Sequence, residues 1–211
     1  MLGICLTLAV AVAIIGSASA YANSNRLLPI YCVETDKKQI AISFDAAWGN
    51  DDTQTLIDIL KEYNVPATFF VVGSWVDKYP ESVKALADAG HQIQNHSNTH
   101  PHMPQLSKNQ MCDELESCND KIEKITGVCP TLHRPPYGDY DNALIESVES
   151  LNMHTIQWSV DSLDWKDNAT PDSICKRVTS KVKNGSIVLF HNDADHTPAA
   201  LPNILKCLKD E

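Results

Sequence analysis

Two histidines four residues apart, His96 and His100, enclose Ser97-Asn98-Thr99. On a helical turn that spacing brings both imidazoles to one side, where a single cation can meet them. The glutamate of the H-E-x-x-H pattern is missing and His102 lies close by, so the pair alone reads equally as a His-rich surface stretch. Asp45 ends the run Ile40-Ala41-Ile42-Ser43-Phe44. A carboxylate in that place must be paired or partly hydrated, because burying it uncompensated is costly. It either caps a helix or, close to metal-binding imidazoles, takes a proton from water, which makes Asp45 the general-base candidate.

Arg134-Pro135-Pro136-Tyr137-Gly138 is a stiff turn, since proline fixes the backbone and lets a guanidinium and a phenol project from a rigid support. Arg134 can grip a carboxylate with two parallel hydrogen bonds and so orient a base. Asp161-Ser162-Leu163-Asp164-Trp165 sets two acids and an indole together. Such a mixture suits a sugar site, although Trp165 reads equally as core. His191 leaves the apolar run Val188-Leu189-Phe190, either as a satisfied core histidine or, paired with an acid, as a proton donor.

The elements that must position these groups alternate along the chain. Strand-like runs are Gln39–Phe44, Ala67–Val72, His91–Asn95, a short run leading to Arg134, His154–Trp158 and Ser186–Phe190. Helices are predicted after Asp52 and Thr53, whose side chains are plausible N-caps, then at 81–89 before Gly90, at 107–126 before Gly127, and at 140–151, 172–182 and 201–208. Strand followed by helix, repeated, means parallel strands with covering helices. Asp45, His96, Arg134, Asp161 and His191 each follow a strand, which favours a barrel, where chemistry gathers at the strand ends, over an open sheet with one switch point. No glycine-rich phosphate loop is present.

The chain has 211 residues and a formal net charge of -10, which repels phosphate backbones and argues against nucleic acid as a partner. Residues 2–15 are uncharged and almost wholly apolar, and Ala18-Ser19-Ala20 follows. This reads as an export signal or membrane anchor over residues 1–20, then an N-terminal extension at 21–38 and a catalytic domain at 39–211. Cys32, Cys112, Cys118, Cys129, Cys175 and Cys207 lack the close spacing of a zinc site. They read as structural or free thiols, with disulfides permitted in an exported chain.

In order, Ser43-Phe44-Asp45-Ala46-Ala47-Trp48-Gly49, His96 to His100, Arg134 to Tyr137, Asp161 to Trp165 and Leu189-Phe190-His191 resemble the five motifs of the polysaccharide deacetylases, carbohydrate esterase family 4. The first motif, Gly138-Asp139-Tyr140 and Trp158 most resemble the sporulation-type members. The resemblance implies a distorted (β/α) barrel in which His96 and His100 hold a divalent metal, zinc or cobalt, while Asp45 deprotonates water and Arg134 orients Asp45. It further implies that the Tyr137 N–H steadies the oxyanion, that His191, tuned by Asp161, protonates the departing amine, and that Trp165 and Leu189 line the acetyl pocket.

The implied activity is N-deacetylation of a cell-wall or spore polysaccharide, a peptidoglycan-like N-acetylhexosamine polymer, outside the cytoplasm and with possible membrane association through the N-terminus. Two departures stand out. Where most members carry a metal-binding acid after the base, this chain has Ala46, so affinity should drop unless Asp51, Asp52 or another group substitutes. The chain reaches Glu211 soon after the helix following His191, consistent with a barrel short of its last unit. A catalytically weak carbohydrate-binding protein and an O-acetyl esterase are the alternative functions, and glycoside hydrolysis by Asp45 and Asp161 leaves the imidazoles unexplained.

Overall fold

The structure, a computed structural model, describes residues 26–210; the apolar leader lies outside the described residues. Its elements are β1 Ala41–Ala46, α1 Thr53–Glu62, β2 Thr68–Val71, α2 Gly73–Lys78, α3 Pro80–Asp88, β3 Gln92–Asn95, α4 Lys108–Thr126, β4 Leu132–His133, α5 Asn142–Ser150, β5 His154–Thr155, β6 Val160–Asp161, α6 Pro171–Thr179, β7 Ile187–His191 and α7 Thr197–Asp210. The strands form one sheet of seven in the order β5-β4-β3-β2-β1-β7-β6, and every pairing is parallel. This is the distorted barrel that the resemblance implies, curled to a half-barrel with helices outside. Among the described residues no helix is long and apolar enough to cross a membrane.

Each face of the central strands is buried for a different reason. Ile42, Phe44 and Ala46 of β1 belong to the large apolar cluster with Leu56, Leu60, Phe69 and Phe190, and Phe44 stacks on Phe69 with ring centroids 4.8 Å apart. The alternate residues Ser43 and Asp45 therefore face the barrel interior. In that inner row Asp45 is registered against His191 on one side and Phe70 on the other.

The segment before β1 ties the edge strand β5 to the start of β7. Ile30 bridges Ile156, next to β5, while Cys32 bridges Ser186, at the start of β7. Two residues of extended chain span only about 7 Å, so the segment around Ile30 to Cys32 brings the end of β5 close to the start of β7.

Three elements depart from the sequence expectation. The run 154–158 forms only the short β5, because after Ile156 the chain crosses to β6, which hydrogen-bonds β7 at Val160 and Asp161. Helix α2 was not anticipated; it begins at Gly73, against which Asn98 packs so closely that an added Cβ would lie 2.4 Å from the Asn98 side chain. Asp52 does precede α1, but its side chain forms no cap bond; it accepts the Asp193 N–H instead, at 2.9 Å. Helix α4 follows its local signals, with a Ser107–Gln110 capping box at one end and Gly127 at φ 73° at the other.

Candidate active site

Arg134 is fully buried at the end of β4, and its guanidinium organises the base of the site. Nη1 donates to Asp45 Oδ1 at 2.8 Å, and Nη2 donates to Ser43 Oγ at 2.9 Å and to the Gln157 carbonyl at 3.2 Å. The charge also lies over the Phe70 ring at 4.1 Å, a favourable placement for a desolvated cation. Burial acts to raise the Asp45 carboxyl pKa, but Arg134, through its charge and hydrogen bond, with further help from the His96 and His191 rings, outweighs it and holds Asp45 below the ordinary aspartate value. Asp45 is thus an ionised base fixed by a rigid partner.

His96 is 2% exposed and its Nδ1 lies 2.7 Å from the Arg134 carbonyl oxygen. A carbonyl only accepts, so Nδ1 carries the proton and Nε2 presents a lone pair. That lone pair faces Asp45 Oδ2 at 3.6 Å, too far for a hydrogen bond. Burial lowers the pKa of His96, and burial together with the nearness of the His96 ring takes His100 down to about 4. Both imidazoles are accordingly neutral, with their ring centroids 5.0 Å apart. Two electron pairs and a carboxylate converging on one cavity suit a divalent cation, so the residues fit His96 and His100 as two metal ligands.

Among the described residues a third ligand side chain is missing. Ala46 lies fully buried within the apolar cluster, and among the described residues no group of three His, Cys, Asp or Glu side chains could hold a metal. Asp52 does not substitute: it faces Asp193, and burial with the Asp193 charge raises its pKa to about 6 despite the Asp193 backbone hydrogen bond.

The partner of His191 corrects the sequence expectation. Its Nδ1 lies 2.8 Å from Asp164 Oδ1, and its N–H donates to Asp164 Oδ2 at 2.8 Å, where the Thr197 hydroxyl also donates. Asp161, the acid expected there, accepts the Leu163 N–H. Leu163 sits in a left-handed turn at φ 57° that swings the chain so that the second acid, not the first, meets the imidazole. Burial acts to lower the His191 pKa, yet the Asp164 hydrogen bond and charge, with smaller effects from Asp45 and Asp161, leave it raised. His191 is thereby kept protonated beyond the usual range.

A cavity of about 350 Å³ collects these groups: Asp45, His96, His100, Tyr137, Asp161, Trp165, Leu189 and His191 all line it, with Arg134 bonded beneath Asp45. Tyr137 projects from the proline turn in a left-handed conformation at φ 61° and packs between the rings of His100 and His102. Trp48 and Trp165 are each about half exposed at the rim, 54% and 51%. Trp48 and Asp164 stand within motifs read from the sequence but are assigned no role there; Trp48 shares the post-strand loop of Asp45 and lies 5.6 Å from the His191 ring. The six cysteines among the described residues stand as thiols away from the cavity lining.

A parallel barrel with its ionisable groups at the carboxyl ends of β1, β3, β4 and β7 defines a hydrolase-type site on a β/α scaffold. The sequence profile of the polysaccharide deacetylase family matches residues 33–156, and the chain belongs to that family. It is 36% identical over 183 residues to the uncharacterised protein YlxY of Bacillus subtilis, covering 87% of this chain and 57% of YlxY, so it spans little more than half of that relative. It is 33% identical to the peptidoglycan-N-acetylmuramic acid deacetylase PdaA of Bacillus subtilis, covering 86% of this chain and 70% of PdaA. Among solved structures it is similar to BA3943 of Bacillus anthracis, described as a pseudoenzyme of carbohydrate esterase family 4, with a TM-score of 0.82, 35% identity and coverage of 87% and 64%. A BA3943 mutant described as having restored enzymatic activity superposes with a TM-score of 0.83 at 36% identity, covering 87% of this chain and 66% of that one.

Proposed function

We propose that the chain is an extracytoplasmic deacetylase that hydrolyses N-acetyl groups of a cell-wall polysaccharide, a peptidoglycan-like polymer of N-acetylhexosamines. The observation that carries this reading is the convergence of an ionised Asp45, two neutral imidazoles and a proton-bearing His191 in one cavity with aromatic walls. A sugar ring can stack on Trp48 or Trp165 at the rim while its acetamide enters between Asp45 and His191.

Asp45, held ionised by Arg134, takes a proton from water as the oxygen adds to the acetamide carbon. His191 gives its proton to the nitrogen, the C–N bond breaks, and acetate and a free amine leave. Zinc or cobalt held by His96 and His100 would supply the Lewis acidity that makes water reactive at neutral pH. Purified protein supplied with zinc or cobalt is expected to release acetate from N-acetylated peptidoglycan or chitooligosaccharides. Glycan binding without acetate would instead favour the second reading, a binding protein with a metal-poor site, which Ala46 and the similarity to BA3943 support.

The acid beside His191 gives a sharper test. A histidine with a raised pKa serves as acid until pH climbs through that pKa, so the alkaline limb of the pH–rate profile reports His191. Asp164→Asn removes the main groups that raise it and is expected to move that limb to lower pH, losing about tenfold in rate for each unit moved. Asp161→Asn is expected to move it far less. Equal shifts in the two variants would contradict the assignment.

A further inference from the structure

The segment that carries both candidate metal ligands has a backbone shape it would not adopt unaided. Ser97 and His100 both lie in the left-handed region, at φ 67° and 62°, a conformation that persists in non-glycine residues only where the surroundings dictate it. The ends of the segment are settled from within the strand layer. Asn95 Oδ1 accepts the Ser97 N–H at 2.8 Å, and the Ser97 hydroxyl accepts the His100 N–H at 3.0 Å.

The middle is settled by one side chain from another element. Glu114 Oε2 accepts the N–H groups of Asn98 at 2.8 Å and Thr99 at 2.7 Å, and Oε1 accepts the Thr99 hydroxyl at 2.7 Å. Two donors on one oxygen and a third on the other fix both the position and the rotation of the turn. Glu114 has a firm support: α4 is capped at both ends, buries Leu115 and Cys118, and two turns further along the same face presents Lys121, which donates to Asn98 Oδ1 at 2.7 Å.

We propose that Glu114 is a positioning residue for the reaction: by gripping Asn98 and Thr99 it holds His96 and His100 in the mutual orientation in which both face Asp45. The inference rests on the metal reading above. Glu114 is absent from the cavity lining and acts only through the backbone between the two histidines.

The test uses the whole chain as wild type, Glu114→Gln, Glu114→Ala and, as a control on an exposed position of the same helix, Glu116→Ala. Three quantities are read: amide exchange over residues 96–100 in metal-free protein, zinc affinity by competition with a chelating dye, and the thermal midpoint. Glutamine keeps the size but offers one acceptor oxygen, so it carries the test should the alanine variant fold poorly. Glu114→Ala is expected to lose at least tenfold in protection at Asn98 and Thr99 and about 10–100-fold in zinc affinity, the range typical of residues that orient ligands. Glu114→Gln is expected to fall between, with its midpoint within about 4 °C of wild type, and Glu116→Ala to change none of the three. Unchanged protection, or lost protection with zinc affinity intact, would overturn the proposal. A wild-type chain that takes up no zinc overturns the metal reading itself, which is distinct from wild type and Glu114→Ala binding zinc equally well.

Discussion

Replacing Arg134 by methionine is expected to lower the stability of the fold by about 3–5 kcal/mol, the range for removing one partner of a buried ion pair. Arg134 is 0% exposed and Asp45 5%, so the variant leaves an ionised carboxylate in the barrel without its guanidinium, and Ser43 and the Gln157 carbonyl lose a donor as well. Methionine keeps an unbranched chain of similar length, which limits the contribution of an empty cavity. For a domain of this size the midpoint should fall by on the order of 10 °C. The double variant with Asp45→Asn should lose less than the sum of the single changes, because the stranded charge is gone. Urea unfolding of the four proteins measures this; strictly additive losses would mean that the pair is not coupled.

The pH dependence supplies the sign. In wild type the Asp45 pKa is lowered, so its contribution is present above the unfolded value near 3.8 and is lost as pH falls through the folded value. Without Arg134 the largest remaining influence is burial, which raises the pKa. The variant should then gain stability relative to wild type as pH falls from 7 toward 4, because its native state takes up the proton there and the unfolded chain does not.

The second large effect is expected from Ala46→Asp. It places an oxygen donor at the end of β1, next to Asp45, where the resemblance to the deacetylase motifs implies a metal-binding acid. Zinc affinity should rise by at least about 100-fold, since loss of mere supporting contacts changes metal affinity by 10–100-fold. Ala46 is wholly buried among apolar side chains, so in metal-free protein the new carboxylate should cost several kcal/mol. Zinc at 100 times its dissociation constant should then return about 2.7 kcal/mol. Thermal melts with and without zinc, set beside zinc content after gel filtration, test this. A variant that retains no more zinc than wild type would show that position 46 cannot reach the imidazoles. Acetate release measured alongside then separates the two functional readings, since the binding-protein reading predicts that turnover appears only in the variant.

Much of this molecule was legible in its residues. Apolar β-branched runs, helix caps and glycine stops act over a few neighbours, so β1, β2, β3 and β7 and the span of α4 from Ser107 to Gly127 could be read directly. Residue types at strand ends likewise gave Asp45, His96, His100, Arg134 and His191, because in a parallel barrel the strand ends face one cavity. Partner choice is different: it depends on distances between segments far apart in sequence and on single backbone angles. Asp161 and Asp164 are chemically identical candidates for His191, and only the left-handed turn at Leu163 decides for Asp164. Glu114 lies on an amphipathic helix with nothing local to mark it, and its importance comes from α4 packing beside the 96–100 turn. The bridges from Ile30 to Ile156 and from Cys32 to Ser186 have the same origin. Local sequence determined which elements form and which groups stand at their ends, whereas the tertiary structure decided which of those groups meet, because that selection is made by long-range packing and not by neighbouring residues.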